Sequence, residues 1–555
     1  MRPEYAAPLQ LLALCGALAL VHRPLGACMA RVYNSRKHLR VERWIYASIG
    51  ADPDAEMRWS AYLRGILVFS AAGVLFLYAL QRLQGSLPGS LGFSSIDPDQ
   101  AFNTAASFVT NTNWQSYYGE QAMGHVVQTG GLAVQNFVSA AVGIAVAVAL
   151  MRGFARSRTG GELGNFWADL VRGTVRILLP LSMVAAVVLV ACGAIQNFSG
   201  VHEVGQFGGG TQEWRGGAVA SQEAIKELGT NGGGYFNANS AHPFENPDGF
   251  SNLFEVFLIL AIPFALTRTF GEMVGDVRQG YAVLGAMAVI WLGFVALMWW
   301  TEYAGHGPAF EAAGGALEGK ETRFGIGGSS IFAVSTTLTS TGAVDGFHSS
   351  LTGFGGGLTL LGMMLGEIAP GGVGSGLYGM LSMAIIAVFL AGLMVGRTPE
   401  YLGKKIGTRQ IKPAALFILV TPALVLSFTA VSLVLDTPAH SMTNSGAHGF
   451  SEILYAYTSA ANNNGSAFAG LNADTQWFNT TIGLAMLLGR FVPLVFVLAL
   501  AGSLAEQTPV PATTGTLRTD KLLFSGLLVG TILVVTGLTY FPALALGPVA
   551  EGLAT

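Results

Sequence analysis

The chain has 555 residues, of which 51% are hydrophobic and only 11% carry a charge. Soluble proteins carry about 25% charged residues, so this composition excludes an ordinary soluble globular protein and indicates a lipid bilayer as the solvent. The formal net charge of −3 gives no reason to expect nucleic acid as a partner. Three widely separated cysteines, Cys15, Cys28 and Cys192, predict neither a disulfide framework nor a metal site.

Ten apolar segments are long enough to cross a membrane, since a spanning helix needs roughly 20 apolar residues. Two of them are too long for one simple span. The segment 352–396 contains a glycine-rich break at 366–376, which cannot be a regular helix, and 476–506 carries Arg490 in its middle. The sequence therefore predicts an all-α polytopic membrane protein. The predicted spans are 5–22, 60–82, 128–151, 173–193, 251–270, 279–301, 352–396, 412–435, 476–506 and 521–545.

The basic residues predict the orientation of these spans. The connections that follow the odd-numbered helices contain 23 of the 29 Lys and Arg residues. Because basic loops stay in the cytoplasm, we expect both termini on the extracytoplasmic side. The first apolar segment is interpreted as an uncleaved membrane helix, since Glu4 beside Arg2 makes a poor start for a signal peptide.

The external connections share a pattern that recurs four times. Each has a short apolar or amphipathic stretch followed by an uncharged loop rich in Thr, Asn, Ser or Gly. This pattern predicts four pseudo-symmetric repeats of helix, pore loop and helix around one ion pathway, with one extra helix at each end. The loops are 110–114, 230–234, 339–343 and 462–466, and the predicted units are 1–59, 60–160, 161–275, 276–405, 406–510 and 511–555.

The composition of these loops favours binding of a cation. Backbone that re-enters the membrane is tolerated only where protein or water shields it, and four such loops around one axis would shield each other. Potassium filters replace the ion's hydration shell with backbone carbonyl oxygens, and glycine lets the backbone turn those oxygens inward. The alternative is four ordinary polar loops, which would normally include charged residues.

Longer stretches around the loops resemble the family of potassium-binding A subunits of the bacterial Kdp pumps. The similarity extends over essentially the whole chain, and its motifs are long and unusual. The matching stretches are 108–117 (FVTNTNWQSY), 228–247 (LGTNGGGYFNANSAHPFENP), 371–379 (GGVGSGLYG), 396–406 (GRTPEYLGKKI), 460–471 (AANNNGSAFAGL) and 542–548 (PALALGP).

The resemblance implies the potassium-selecting subunit of an ATP-driven uptake pump in the bacterial inner membrane. It implies potassium as the transported ion, and as partners a P-type ATPase catalytic subunit (KdpB-like) with KdpC-like and KdpF-like accessory subunits. The chain itself is expected to bind no nucleotide and to have no catalytic site. The stretch 314–320 almost matches a phosphate-binding loop, but Glu321 occupies the position that requires Ser or Thr.

The resemblance also implies which residues form the filter. Asn113 stands where Gly232, Gly342 and Gly465 align, so the filter is chemically asymmetric, which suits one tight site better than fast conduction. Thr341 stands where a familiar member of the family has a cysteine. The implied filter residues are Asn111, Thr112, Asn113, Asn231, Gly232, Gly233, Ser340, Thr341, Gly342, Asn463, Asn464 and Gly465.

The break at 366–376 lies beyond the third filter loop and is predicted to gate the straight path to the cytoplasm. The alternative is a packing kink, because glycines also let membrane helices approach closely. Ionisable residues inside apolar segments are functional candidates, although Arg490 could instead extend to the membrane edge. The gate and coupling candidates are Glu367, Gly371, Gly372, Gly374 and Arg490.

Three rival functions remain open at this stage. A stand-alone Trk-like or Ktr-like potassium channel or transporter would use the same repeats without an ATPase. An ion-coupled solute carrier would place buried carboxylates near the membrane midplane, whereas the four loops carry none. A structural membrane protein would have no use for four recurrent uncharged loops.

Overall fold

A computed structural model describes residues 3–304, 308–394, 396, 398–511 and 516–554. In this part of the chain ten helices are long and apolar enough to cross a membrane, which confirms the predicted all-α polytopic fold. Six of the spans differ from the predicted bounds by only a few residues at either end. The spans are Ala6–Asn34, Trp59–Arg82, Val127–Ala155, Phe166–Cys192, Gly249–Met273, Val277–Tyr303, Ser375–Met394, Thr408–Val434, Gln476–Ala505 and Leu522–Ala554.

The N-terminal part and the first repeat contain a long helix, an amphipathic helix and a helix–short helix–helix unit. The elements are α1 (Pro3–Asn34), α2 (Arg40–Ile49), α3 (Trp59–Arg82), a 3-10 turn (Gln84–Ser86), α4 (Pro98–Val109), α5 (Gly119–Ala122), a π-helical turn (Val127–Ala133) and α6 (Val134–Ala155).

The second repeat has the same order, with a two-stranded antiparallel hairpin before its short helix. Its elements are α7 (Phe166–Arg172), a π-helical turn (Gly173–Leu178), α8 (Leu179–Cys192), β1 (Val201–Gly205), β2 (Thr211–Arg215), α9 (Val219–Leu228), a 3-10 turn (Asn239–Ala241) and α10 (Gly249–Met273).

The third repeat differs from the others because its returning helix is broken in two. Its elements are α11 (Val277–Tyr303), α12 (Pro308–Ala313), α13 (Gly325–Leu338), a 3-10 turn (His348–Ser350), α14 (Gly353–Met364), α15 (Ser375–Met394), β3 (Glu400–Tyr401) and β4 (Lys404–Lys405). The predicted break is therefore confirmed. Position 395, at the predicted end of this segment, lies outside the described residues.

The fourth repeat and the C-terminal helix complete the chain. The prediction that the segment 476–506 is too long for one simple span is wrong, because Gln476–Ala505 is one continuous helix that contains Arg490. The elements are α16 (Thr408–Val434), α17 (Asp436–Ala439), α18 (Gly446–Asn462), α19 (Gln476–Ala505), α20 (Leu522–Leu544), a π-helical turn (Ala545–Val549) and α21 (Ala550–Ala554).

The four repeats close into a ring through one recurring contact. The returning helix of each repeat packs against the short helix of the next, in the pairs α6 with α9, α10 with α13, α14 with α18, and α19 with α4. The returning spans are mostly buried, whereas the leading spans of the same repeats expose more of their surface. The short helices α4, α9, α13 and α18 are thus surrounded by helices, and the loops that follow them lie at the centre of the ring.

Side-chain caps fix where several returning helices begin. Asp248 accepts hydrogen bonds from the backbone N–H groups of Phe250 (2.9 Å) and Ser251 (2.8 Å), and the Ser251 hydroxyl accepts one from the Asp248 N–H. Such a capping box satisfies the free N–H groups of the first turn of α10. Thr352 and Thr475 cap α14 and α19 in the same way, each by accepting one backbone N–H.

The first helix is longer than the predicted 5–22 and continues to Asn34. The polar residues that ended the apolar run have partners on neighbouring helices. The His22 ring lies 3.0 Å from the Thr267 hydroxyl, and Arg23 donates to the Tyr281 hydroxyl at 3.1 Å. A hydropathy pattern does not reveal such partners, so the predicted span was too short.

Candidate ion-binding site

The four loops adopt a common register after their short helices. The backbone N–H groups of Thr112, Asn231 and Asn464 each donate to the carbonyl oxygen five residues earlier, at 3.0, 2.8 and 2.9 Å. Thr341 has the corresponding place after α13. Its hydroxyl lies 2.6 Å from that of Thr339, as the Thr112 hydroxyl lies 2.8 Å from that of Thr110. These four residues are therefore the equivalent central residues of the loops.

This register agrees with the predicted alignment of Asn113 with Gly232, Gly342 and Gly465. In this register, Thr230, Asn231 and Gly232 are equivalent to the triplets of the other three loops. The predicted second triplet, 231–233, is therefore shifted by one residue towards the C-terminus. Because residues 232–234 are three consecutive glycines, the sequence alone could not decide which of them aligns with Asn113.

In the second, third and fourth loops, one glycine each lies so close to the backbone of a neighbouring loop that no side chain would fit there. A Cβ atom on Gly232 would lie 2.8 Å from the Asn464 carbonyl oxygen and even closer to that of Thr112. A Cβ on Gly342 would overlap the Asn464 carbonyl, and one on Gly465 would overlap the Thr112 carbonyl. Glycine at these positions thus allows carbonyl oxygens of the first and fourth loops to approach the second and third.

The backbone conformation on both sides of the central residues repeats as well. Asn111, Thr230 and Asn463 precede them with φ of +69°, +50° and +62°. Asn113 and Gly465 follow them with φ of +57° and +113°. Positive φ favours glycine, and among other residues asparagine tolerates it best. Asn113 occupies the position that is glycine in the other three loops, and it can therefore keep the backbone conformation of that position.

Asparagine side chains link the loops to one another. The Asn111 amide donates to the Thr230 carbonyl (2.7 Å), which links the first loop to the second. The Asn463 amide donates to the Thr112 hydroxyl (2.9 Å), and the Asn464 amide donates to the Thr339 carbonyl (3.1 Å). The amides thus hold the loops together, and the central backbone carbonyls remain available for a ligand.

A cavity of about 670 Å³ lies above the loops, on the side of the predicted external connections. Asn113, Gly232, Gly342 and Gly465 contribute one residue each from the four loops to its wall. Among the described residues that line it, only Asp474 carries a charge. A hydrated cation in this cavity would reach the four loops without being held by a cluster of negatively charged side chains.

The break between α14 and α15 lies directly against the other side of the loops. The Gly371 N–H donates to the Leu338 carbonyl at 3.1 Å, and a Cβ on Gly372 would overlap the Ser340 hydroxyl. Glu367 is buried, and its Oε1 accepts a 2.6 Å hydrogen bond from the Asn464 amide. Gly374 packs instead on the backbone of α6, where a Cβ would overlap the Gly143 carbonyl.

Arg490 lies apart from the loops, on α19. It is only 5% exposed, so its side chain does not extend to the membrane edge, as one interpretation of the sequence had it. It lines a small cavity of about 90 Å³ together with Gly366, Tyr378 and Asn463. Arg490 thus lies close to the glycine-rich break, since Gly366 lines the same cavity.

Sequence reasoning missed a buried charged cluster behind the second loop. Lys226 is fully buried on α9, and its Nζ lies 2.6 Å from Glu223, 3.2 Å from Glu245 and 3.3 Å from Glu227. Glu255 on α10 completes the group. The i,i+3 spacing of Glu223 and Lys226 was a detectable signal, but on an amphipathic stretch it indicates a solvated face more often than a buried one.

Comparison with known families agrees with this geometry. The sequence profile of the KdpA family, described as the potassium-transporting ATPase A subunit, matches residues 12–553. The chain belongs to this family. The chain is accordingly a multi-pass membrane protein with the ten helices described above, and the resemblance inferred from the loop motifs is confirmed.

Relatives in the KdpA family match the chain from end to end. A protein of Streptomyces griseus subsp. griseus is 82% identical over 555 residues, with 100% of both chains covered. One of Clavibacter michiganensis subsp. michiganensis is 61% identical over 552 residues, with 99% of both covered. One of Frankia alni is 56% identical over 586 residues, with 100% of both covered. Each of the three is named as a potassium-transporting ATPase potassium-binding subunit.

Among solved structures, the chain is similar to the potassium transporter TrkH from Vibrio parahaemolyticus. The TM-score is 0.52 at 15% sequence identity, and the match covers 78% of this chain and 84% of that one. At so low an identity the likeness concerns the fold alone. It supports the arrangement of four helix–loop–helix repeats around one axis.

Proposed function

We propose that this chain is the potassium-binding and potassium-selecting subunit of an ATP-driven uptake pump. The observation that carries the proposal is the convergence of the Thr112 and Asn464 carbonyl oxygens on glycines of the neighbouring loops. The names of the close relatives in the KdpA family support it. A likeness of fold to TrkH does not by itself favour the rival function of a stand-alone channel or transporter.

The chemistry of the loops fits a monovalent cation. The twelve predicted filter residues include no carboxylate, whereas divalent cations such as Ca²⁺ and Mg²⁺ are held by carboxylates. A ring of neutral carbonyl dipoles replaces the hydration shell of potassium. In this proposal the central carbonyl oxygens of Thr112, Asn231, Thr341 and Asn464 form that ring, and their side chains hold the loops in place.

The break in the third repeat is proposed to close the straight route to the cytoplasm. Its backbone packs against the loops from below, and Glu367 ties it to the fourth loop. Arg490 adds a fixed positive charge, which would repel a cation moving straight through. An open vertical pore would dissipate the gradient that a pump builds, so the ion would leave sideways towards the partner that supplies the energy.

This partner is proposed to be a P-type ATPase catalytic subunit (KdpB-like), accompanied by KdpC-like and KdpF-like subunits. The chain itself would bind potassium and no nucleotide. We further propose that it lies in the bacterial inner membrane with both termini outside, because 23 of 29 Lys and Arg residues fall in the connections then exposed to the cytoplasm.

Co-purification tests the assignment to a pump. The native complex is extracted in mild detergent through an affinity tag on this chain, and ATP hydrolysis is measured with and without potassium. The proposal expects an ATP-hydrolysing partner that potassium stimulates. A chain that purifies alone and conducts potassium passively in liposomes would contradict the pump and favour the stand-alone transporter.

A further inference from the structure

Asn239 connects the buried charged cluster to the second filter loop. Its Oδ1 accepts hydrogen bonds from Lys226 Nζ at 2.7 Å and from the Ser240 N–H at 3.0 Å. Its Nδ2 donates to the carbonyl oxygen of Gly232 at 2.9 Å. Asn239 is only 5% exposed, in the 3-10 turn between α9 and α10. One side chain thus contacts both the lysine and the filter backbone.

The lysine fixes which way this amide points. An ammonium group only donates hydrogen bonds, so the oxygen of the Asn239 amide must face Lys226 and the nitrogen must face Gly232. The lysine cannot turn away, because Glu223, Glu227 and Glu245 surround its Nζ in a site without solvent access. Separating a buried ion pair of this kind is strongly unfavourable. The cluster therefore holds the donor of Asn239 against one carbonyl oxygen of the filter.

The second loop is the one that most needs such support. Asn111, Asn463 and Asn464 link the first loop to the second and the fourth loop to the first and third. The remaining junction, between the second and third loops, contains three consecutive glycines on one side. Asn239 bridges it, since its Oδ1 also lies 3.5 Å from the Val344 N–H beyond the third loop.

Gly232 differs from its equivalents in the backbone as well. Asn113, Gly342 and Gly465 have φ of +57°, +79° and +113°, whereas Gly232 does not have a positive φ. Glycine has no side chain and few conformational limits. Its carbonyl is therefore held in one orientation by a hydrogen bond from a residue outside the loop. The bond from Asn239 is the contact that does so.

We propose that Asn239 and Lys226 are positioning residues that set the orientation of the Gly232 carbonyl and thereby the potassium selectivity of the filter. This inference rests on the proposed function of the loops. A positioning role and a purely structural role of the cluster predict different effects of mutation. A structural role concerns the stability of the fold, whereas a positioning role concerns the discrimination between potassium and ions of slightly different size.

The test measures potassium, rubidium and sodium binding to the purified full chain by titration. Asn239→Asp keeps an acceptor for Lys226 but replaces the donor that faces Gly232 with a carboxylate oxygen. The matched control is Asn34→Asp, which makes the same change at the exposed end of α1, outside the four loops and the cavity above them. Losing one hydrogen bond to a buried carbonyl is worth about 1–3 kcal/mol, so discrimination should fall at least about fivefold in Asn239→Asp and stay unchanged in the control.

A second pair of variants tests the lysine. Lys226→Met combined with Glu223→Gln removes one positive and one negative charge together, and the proposal expects a smaller loss of discrimination in the same direction. Asn239→Ala replaces Asn239→Asp if the latter does not fold, as judged by thermal unfolding. Folded Asn239 variants with wild-type discrimination would overturn the inference. A wild-type chain that binds no potassium would instead overturn the proposed function.

Discussion

The Glu367 carboxylate accepts a 2.6 Å hydrogen bond from the Asn464 side-chain amide, and so joins the glycine-rich break to the fourth filter loop. The same amide donates to two carbonyls at the end of the third repeat's short helix, those of Thr336 and Thr339. Asn464 therefore connects the filter, α13 and the break. Any movement of the break would change the support of the fourth loop.

This link predicts that Glu367 affects potassium binding although it is not a filter residue. Glu367→Ala removes the acceptor of the Asn464 amide, and leaving a buried donor without its partner costs about 1–3 kcal/mol. We expect potassium affinity to fall by at least about fivefold. Glu367→Gln keeps an amide oxygen for Asn464 and should retain affinity within about threefold of wild type. Equal affinity in Glu367→Ala and wild type would show that the bond does not support the loop.

A buried ion pair between the end of α6 and the start of α7 should control stability. Arg152 donates to both carboxylate oxygens of Asp169, at 2.5 and 2.9 Å, and both side chains are buried. Breaking such a pair leaves an unpaired buried charge and is destabilising by about 3–5 kcal/mol. We expect Asp169→Ala to lower the free energy of unfolding by about this amount, as measured by denaturation in detergent.

The paired replacement provides the control for this prediction. Arg152→Met combined with Asp169→Leu leaves no charge behind, and should recover most of the stability that Asp169→Ala loses. If Asp169→Ala unfolds like the wild type, the ion pair does not stabilise the fold, and the bonds from Arg152 to the Leu163 and Tyr33 carbonyls suffice.

His242 predicts a dependence of stability on pH. Burial, and to a smaller extent the charge of Arg323, lower the pKa of the His242 ring from 6.5 to about 4. Its neutral Nδ1 accepts a hydrogen bond from the Phe244 N–H at 3.1 Å, and its ring stacks on Phe236 with centroids 3.8 Å apart. Protonation removes that acceptor, so the folded state binds fewer protons than the unfolded state between these two pH values. The contribution of His242 is therefore complete above pH 6.5 and is lost as the pH falls towards 4.

The measurement compares the thermal stability of the wild type and His242→Asn as a function of pH. Asparagine can accept the same N–H group, since its side chain bonds to the backbone two residues further on, and it does not titrate. The wild type should lose more stability than the variant as the pH is lowered from 7 to 5. If the thermal stability of the two proteins fell equally with pH, His242 would not be held in its neutral form.

The orientation can be tested by cysteine labelling in intact cells. The three native cysteines are first replaced, and single cysteines are introduced at Gly208, in the exposed hairpin, or at Arg409, at the exposed start of α16. A reagent that cannot cross the membrane should label Gly208→Cys and leave Arg409→Cys unlabelled until the cells are permeabilised. The opposite result would reverse the predicted topology.

The sequence predicted features that depend on local composition. Apolar runs located all ten spans, the glycines at 366–376 located the break, and the uncharged loops located the four junctions at the centre of the ring. It could not predict contacts between distant segments. Glu245 and Glu255 lie far along the chain from Lys226, so the buried cluster, and with it the role of Asn239, became visible only when α9, the 3-10 turn and α10 were brought together.

The extension of α1 and the register of the second loop were missed for related reasons. His22 and Arg23 looked like the end of a span because their partners belong to α10 and α11. The glycines at 232–234 are identical to one another, and the register became visible only from the Asn231 N–H bond to the Lys226 carbonyl and the positive φ of Thr230. Composition therefore predicted the fold well and the detailed geometry of the filter less well.

The central claim is that backbone carbonyl oxygens of the four loops bind potassium, and one titration tests it most directly. Potassium binding to the purified full chain is compared among the wild type, Gly232→Asp and Gly208→Asp. The first variant forces a charged side chain between the Thr112 and Asn464 carbonyls, whereas the second adds the same charge where no atom lies within 4 Å of a new Cβ. The account predicts saturable binding that prefers potassium to sodium in the wild type and in Gly208→Asp, with affinity or discrimination lost in Gly232→Asp. Identical potassium affinity and discrimination in all three proteins would contradict it.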